Sequence, residues 1–111
     1  MTYSKSQLDG KTTYITRGAS VAAKRGILVV NSVGNNGSAG SSSLVAPADA
    51  EGILAVGAVN SSSTVSSFSS RGPTADGRIK PDLAAFGQST ILIRGTGQVG
   101  AASGTSFSAP Q

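Results

Sequence analysis

Two short runs without a charge, Ile27-Leu28-Val29-Val30 and Ile53-Leu54-Ala55-Val56-Gly57-Ala58-Val59, constrain the fold of this 111-residue chain more than any other feature. Strands that face water on one side alternate apolar with polar residues. Uninterrupted apolar, largely β-branched runs are expected of strands covered on both faces, as in parallel sheets. The segment before the first run reads as a helix over residues 12–25. There Ile15, Ala19, Ala22 and Ala23 fall at i, i+4, i+7 and i+8, one helical face. Lys24 and Arg25 sit in its last turn, where cations suit the helix dipole, and Gly26 follows as a C-cap. A helix leading into a buried strand implies a layered α/β fold with a parallel sheet. In such sheets ligands bind beyond the carboxyl ends of the strands, and Gly34-Asn35 lies at such an end.

The remaining segments are read more coarsely. Residues 1–11 are polar and irregular. Gly34-Asn35-Asn36-Gly37 is a turn by composition, and a Ser/Gly-rich loop runs over residues 37–52. Thr64 to Phe68 reads as a short edge strand. Residues 69–82 form a long loop punctuated by Gly72-Pro73, Asp76-Gly77 and Lys80-Pro81. Ile91-Leu92-Ile93 and Val99-Gly100-Ala101-Ala102 read as strands, joined as a hairpin across Gly95-Thr96-Gly97. Ser103-Gly104-Thr105 enters a helix of which the chain holds the first turn.

Composition narrows the functional classes. The chain is at most one small domain. Aromatic content is 5%, there is no Trp, and 38% of residues are hydrophobic, so the core must come from Val, Ile, Leu and Ala. There are no cysteines and no histidines, which excludes disulfides and thiolate metal sites and leaves zinc only carboxylates. The net charge of +4 comes from scattered Lys and Arg with no interleaved aromatics, so the charge reads as a solvated surface and nucleic-acid binding finds no other support. The start, Met1-Thr2-Tyr3-Ser4-Lys5, has no apolar core of a signal peptide, and no apolar stretch is long enough to span a bilayer, so no membrane partner is expected. Gly95-Thr96-Gly97-Gln98-Val99-Gly100 matches G-x-G-x-x-G. No long helix follows it and no acidic residue stands about 20 positions on, so it reads as a hairpin turn and not a dinucleotide site. Asn36-Gly37-Ser38 and Asn60-Ser61-Ser62 are glycosylation sequons, of consequence only in a eukaryotic secretory route.

Three motifs carry chemistry or identity. Gly104-Thr105-Ser106-Phe107-Ser108-Ala109-Pro110 places a serine after a small residue at a helix start, where backbone N–H groups face developing oxyanion charge. Val29 to Gly37 is an apolar strand followed by Gly-Asn-Asn-Gly. Phe68-Ser69-Ser70-Arg71-Gly72-Pro73 is followed by Lys80-Pro81-Asp82. In this order the three resemble the subtilisin-like serine proteases, the subtilases: the nucleophile motif G-T-S-x-[SA]-x-P, the strand with G-N-x-G, and the segment F-S-S-R-G-P…K-P-D. Ala46-Pro47-Ala48 with the run Ile53 to Val59 is similar to a fourth stretch of the family. The matches run from about residue 12 to residue 110.

The resemblance implies a partial three-layer α/β fold with a mostly parallel, subtilisin-like sheet, truncated at both ends. Residues 1–111 would be a fragment of a single catalytic domain, with the parts bearing the catalytic Asp and His upstream of Met1. It implies that Ser106 is the nucleophile and that Asn35 donates its side-chain amide to the oxyanion, although 71 residues separate them. It would place Ser32, Val33 and Gly34 along the pocket for the residue before the scissile bond. A serine nucleophile needs a base to take its proton, and this chain has no histidine. The expected function is a serine endopeptidase fragment, inactive alone. The alternative is a non-catalytic binding or assembly module with the same fold. Expected partners are a peptide or protein substrate, with the missing N-terminal part of the domain or a second copy as a further one. No cofactor is evident; calcium is common in the family, but no ligand cluster stands out here. The family also implies a secreted or cell-surface location. One departure from the family pattern, Ala85-Phe86-Gly87 in place of A-P-G, puts the local loop shape in question.

Overall fold

The computed structural model describes residues 3–111. Met1 and Thr2, the start of the segment read as polar and irregular, lie outside the described residues. The rest of that segment is irregular apart from one 3₁₀ turn, Lys5–Gln7.

Helix α1 spans Tyr14–Lys24, inside the expected 12–25. Thr13 caps it, its side chain accepting from the Thr16 N–H. At the other end the Gly26 N–H donates to Ala23 O and the Ile27 N–H to Ala22 O, a Schellman closure. The expected buried face is shifted. Ala19, Ala22 and Ala23 are half-buried, Ile15 is exposed, and Thr16 and Ser20 face inward instead. The reason is Asp49, which is fully buried. Its Oδ1 accepts from Thr16 Oγ1 at 2.7 Å and its Oδ2 from the Gly10 N–H at 2.9 Å. A buried carboxylate needs such partners, so Thr16 occupies the inner face of the helix, while Ser20 Oγ is buried there with no hydrogen-bond partner among the described residues.

Three strands form a parallel sheet in the order β1-β2-β3: Val30–Ser32, Leu54–Val59 and Leu83–Phe86. Val30 pairs with Leu54 and Val56 with Leu83. Strand β2 is central and buried, as its uninterrupted apolar run requires. The first run behaves differently. Only Val30 of Ile27–Val30 joins the strand, and Ile27, Leu28 and Val30 are exposed by 59%, 73% and 41%. Strand β1 pairs with β2 alone at a sheet edge, and the exposure of these residues means that they do not make a strand covered on both faces.

Strands β4 (Thr90–Ile93) and β5 (Val99–Ala102) form a separate antiparallel hairpin, which turns through Gly95–Gly97 as expected. Thr64–Phe68 is not a strand; it contributes one isolated bridge, Val65 to Val59. Strand β3 went unread because Leu-Ala-Ala-Phe carries no β-branched residue. Helix α2, Thr105–Ser108, packs across the ends of the parallel sheet. The main core gathers Leu8, Val33, Leu44, Ala48 and Ala55 under the loops that follow β1.

Candidate active site

The site is assembled where the chain leaves β1. Val33 anchors the loop: its N–H donates to Val56 O at 2.9 Å and its side chain is fully buried in the core. Gly34 follows with φ of +110°, a region that favours glycine. A Cβ there would lie 2.8 Å from Val45 Cγ2 and 3.0 Å from Ser70 Oγ, so the position is also sterically closed to side chains.

Residues 68–70 bracket this loop. The Ser70 N–H donates to Gly34 O at 2.9 Å, and Ser70 Oγ accepts from the Asn36 N–H at 2.8 Å. The Gly37 N–H donates to Phe68 O at 2.8 Å. Ser69 Oγ accepts from the Ala58 N–H of β2 at 3.0 Å, which ties the bracket to the central strand. The Phe68-Ser69-Ser70 motif, to which the sequence attached no chemistry, therefore fixes the loop that carries Asn35.

The second wall comes from the far end of the chain. After β5, the Gly104 N–H donates to Gly87 O at 2.8 Å and seats α2 on the end of β3. A Cβ on Gly87 would overlap Ser108 Oγ and lie 2.9 Å from Gly104 O. Ala85-Phe86-Gly87 thus keeps the one residue that this seat requires, and the loop closes without the proline. The Thr105 N–H and Oγ1 both donate to Asn35 Oδ1, at 2.9 and 3.0 Å, and Thr105 Oγ1 accepts from the Gly34 N–H at 3.2 Å. Because a backbone N–H can only donate, the atom of Asn35 that meets it must be the carbonyl oxygen. The amide nitrogen Nδ2 is left facing Gly104, 3.4 Å from where a Cβ would stand. Among the described residues neither Asn35 Nδ2 nor Ser106 Oγ has a hydrogen-bond partner. Ser106 is exposed and lies in the first turn of α2, and its own N–H has no hydrogen-bond partner among the described residues.

Asn35 and the residue before Ser106 are therefore in contact. Ser32 is half-buried at the end of β1, and Val33 offers only its backbone to any pocket wall. A cavity of about 420 Å³ adjoins the loop, lined by Leu8, Asn36, Ser38, Leu44 and Val45 among others; Ser32, Val33, Gly34 and Ser106 are not in its lining. Sequence reading passed over Thr105 as an acting residue, as well as Ser70 and Gly87. Thr105 was visible inside the G-T-S motif, but only as a helix start.

None of Gly34, Asn35, Ser70, Thr105 and Ser106 ionises near neutral pH, so the site contains no proton acceptor of its own. Charge lies elsewhere. Arg78 Nε meets Asp76 Oδ2 at 2.8 Å and Lys80 Nζ meets Asp82 Oδ2 at 2.6 Å. The Arg78 guanidinium, then the Thr74 hydroxyl, lower Asp76 to about 2, while Asp76 raises Arg78 in turn. Asp49, Asp76 and Asp82 are thus already engaged, and among the described residues no three His, Cys, Asp or Glu are grouped to hold a metal.

Comparison with known proteins decides the family. The model of the subtilase family, peptidase S8, matches residues 2–111. The chain belongs to the subtilase family. Subtilisin J of Geobacillus stearothermophilus is 43% identical over 90 residues, 80% of this chain and 22% of that protein. Serine protease AprX of Bacillus subtilis (strain 168) is 37% identical over 87 residues, 72% of this chain and 20% of that protein. Among solved structures, the patellamide maturation protease PatA superposes with a TM-score of 0.74 at 28% identity, covering 92% of this chain and 36% of that one. The subtilase chain thus spans about a fifth of the length of the curated relatives it matches. No described helix is long and apolar enough to cross a membrane.

Proposed function

We propose that this subtilase chain carries the nucleophile and oxyanion-binding groups of a serine endopeptidase, and that residues 1–111 are one portion of a single catalytic domain. The observation that supports this most is the pair of hydrogen bonds from Thr105 to Asn35 Oδ1, which hold Asn35 against the residue preceding Ser106 and leave its amide N–H₂ free. Ser106 Oγ attacks the carbonyl carbon of a peptide bond. Its proton passes to a histidine supplied from outside these residues, oriented by an aspartate. The carbonyl oxygen takes up negative charge and is held by Asn35 Nδ2 and the Ser106 N–H. The tetrahedral adduct expels the amine, which receives the proton, and water then hydrolyses the acyl-serine by the same groups. Ser32, Val33 and Gly34 run beside the residue before the scissile bond. A peptide or protein is the substrate, and a secreted or cell-surface location follows from the family likeness.

The exposed apolar residues Ile27, Leu28 and Val30, leading into β1, favour a partner for the chain, either the remaining part of the domain or a second copy. They also keep a second reading alive, that of a non-catalytic assembly module. A peptidase assay separates the two. The isolated chain is expected to turn over no peptide at a useful rate, since losing a triad member leaves only about 10³–10⁴ over water. The natural polypeptide that contains it is expected to hydrolyse peptides, with activity abolished by Ser106→Ala. Normal rates from the isolated chain, or hydrolysis indifferent to Ser106→Ala, would refute the proposal.

A further inference from the structure

We infer that Ser70 is a positioning residue for catalysis, holding Asn35 in register with Ser106; the inference rests on the reading of Asn35 as the oxyanion donor. Ser70 is 1% exposed and makes no hydrogen bond to the side chain of Asn35 or to Ser106, so its bonds to the main chain define its role. Its N–H donates to Gly34 O at 2.9 Å, and its Oγ accepts from the Asn36 N–H at 2.8 Å. One residue therefore grips the peptide groups on both sides of Asn35. One peptide unit earlier, the Gly34 N–H meets Thr105 Oγ1, which also ties down the chain leading into Asn35. The unit after Asn35 has only the Ser70 hydroxyl, so that hydroxyl sets the backbone angles of Asn35 and the direction in which its amide projects. Gly34 leaves room for this, since a Cβ there would come within 3.0 Å of Ser70 Oγ. Ser69, one residue earlier, bonds to Ala58 of the central strand, so the grip is mounted on the most buried strand of the sheet. A donor aimed at a developing charge loses effect with small displacements, because its catalytic value lies in being preorganised.

The test is a double-mutant cycle on the natural polypeptide containing the chain, with a tetrapeptide p-nitroanilide as substrate. Ser70→Ala is expected to lower kcat by about 3- to 30-fold with KM nearly unchanged, the size of one lost positioning hydrogen bond. In an Asn35→Ala background the same change is expected to cost less than about 2-fold, because the group it positions is gone. Ser70→Cys fills the same space with a poor acceptor and is expected to reproduce the loss; it carries the test if Ser70→Ala does not fold. An equal loss in both backgrounds, or a loss expressed in KM, would make Ser70 merely structural and overturn the inference. Full activity in both Ser70→Ala and Ser70→Cys, with Asn35→Ala impaired, would overturn it while leaving the oxyanion reading intact. Activity indifferent to Asn35→Ala would remove that reading, and this inference with it.

Discussion

In the proposed mechanism Asn35 acts through its orientation. Two donors from Thr105 fix its carbonyl oxygen, and what remains free is the N–H₂ end. Asn35→Ala is expected to lower kcat by about 10²–10³ with little change in KM, a magnitude that belongs to subtilisin and is carried over to this relative. Asn35→Asp tests the orientation further. A carboxylate would accept from Thr105 equally well yet offer no donor to the oxyanion, so stability should hold while activity falls; matched losses of both would contradict the assignment. A second residue-scale prediction concerns Asp76. Its pKa in the folded chain, about 2, lies below the ordinary 3.8. The ionised form is therefore favoured by folding. Its stabilisation is complete above pH 3.8 and is lost as pH falls through about 2. Asp76→Asn should accordingly lower the Tm near neutral pH and leave it unchanged in strong acid. A Tm difference that persists below about pH 2 would show that the ion pair with Arg78 is not its source.

The elements place these residues through backbone contacts that tolerate little change. Gly87 receives α2, and a methyl group there would overlap Ser108 Oγ, itself buried without a partner. Gly87→Ala should therefore displace Gly104–Ser108 from the sheet, lowering both Tm and the reactivity of Ser106. A variant of unchanged Tm and reactivity would contradict this seat. At the other layer, Thr16→Val removes the hydroxyl that joins Thr13 to Asp49, and leaves a buried carboxylate oxygen short of a donor. The expected cost is about 1–3 kcal/mol, read from the midpoint of denaturant unfolding. These contacts also show what a sequence can and cannot disclose. The hairpin of β4 and β5 and the central strand β2 were legible because apolar runs and Gly-rich turns report local geometry. The inward face of α1 was misread because a buried carboxylate 33 residues away decides it. The Ile27–Val30 run was misjudged because its composition describes a strand covered on both faces, while only Val30 enters the strand and Ile27, Leu28 and Val30 are exposed. In the candidate site, Ser106 and Asn35 were legible through their motifs. Ser70 and Gly87 were not legible, since each serves main-chain groups distant in sequence, Ser70 through its N–H and hydroxyl and Gly87 through its carbonyl and its lack of a side chain.

As a whole the molecule is slightly elongated, with extents of 40 × 30 × 26 Å. Its radius of gyration is 14.1 Å, against about 13 Å for a compact globule of this size. One face of the hairpin pairs Ile91 with Ala101 and Ile93 with Val99, and Ile91, Ile93 and Val99 are each at least 70% exposed. With Ile27, Leu28 and Val30 at the open edge of β1, this leaves apolar surface of the kind that drives association. The isolated chain is expected to sediment as oligomers or aggregates and to melt broadly. A monomer with a sharp cooperative transition would contradict that expectation. The central claim, that this subtilase chain supplies an activated serine beside an oxyanion donor, is tested most directly by reacting the natural polypeptide with a fluorophosphonate and mapping the adduct by mass spectrometry. The account predicts one adduct, on Ser106, absent in Ser106→Ala and formed more slowly in Asn35→Ala. A folded protein that forms no adduct, or forms it on another serine, would contradict the account.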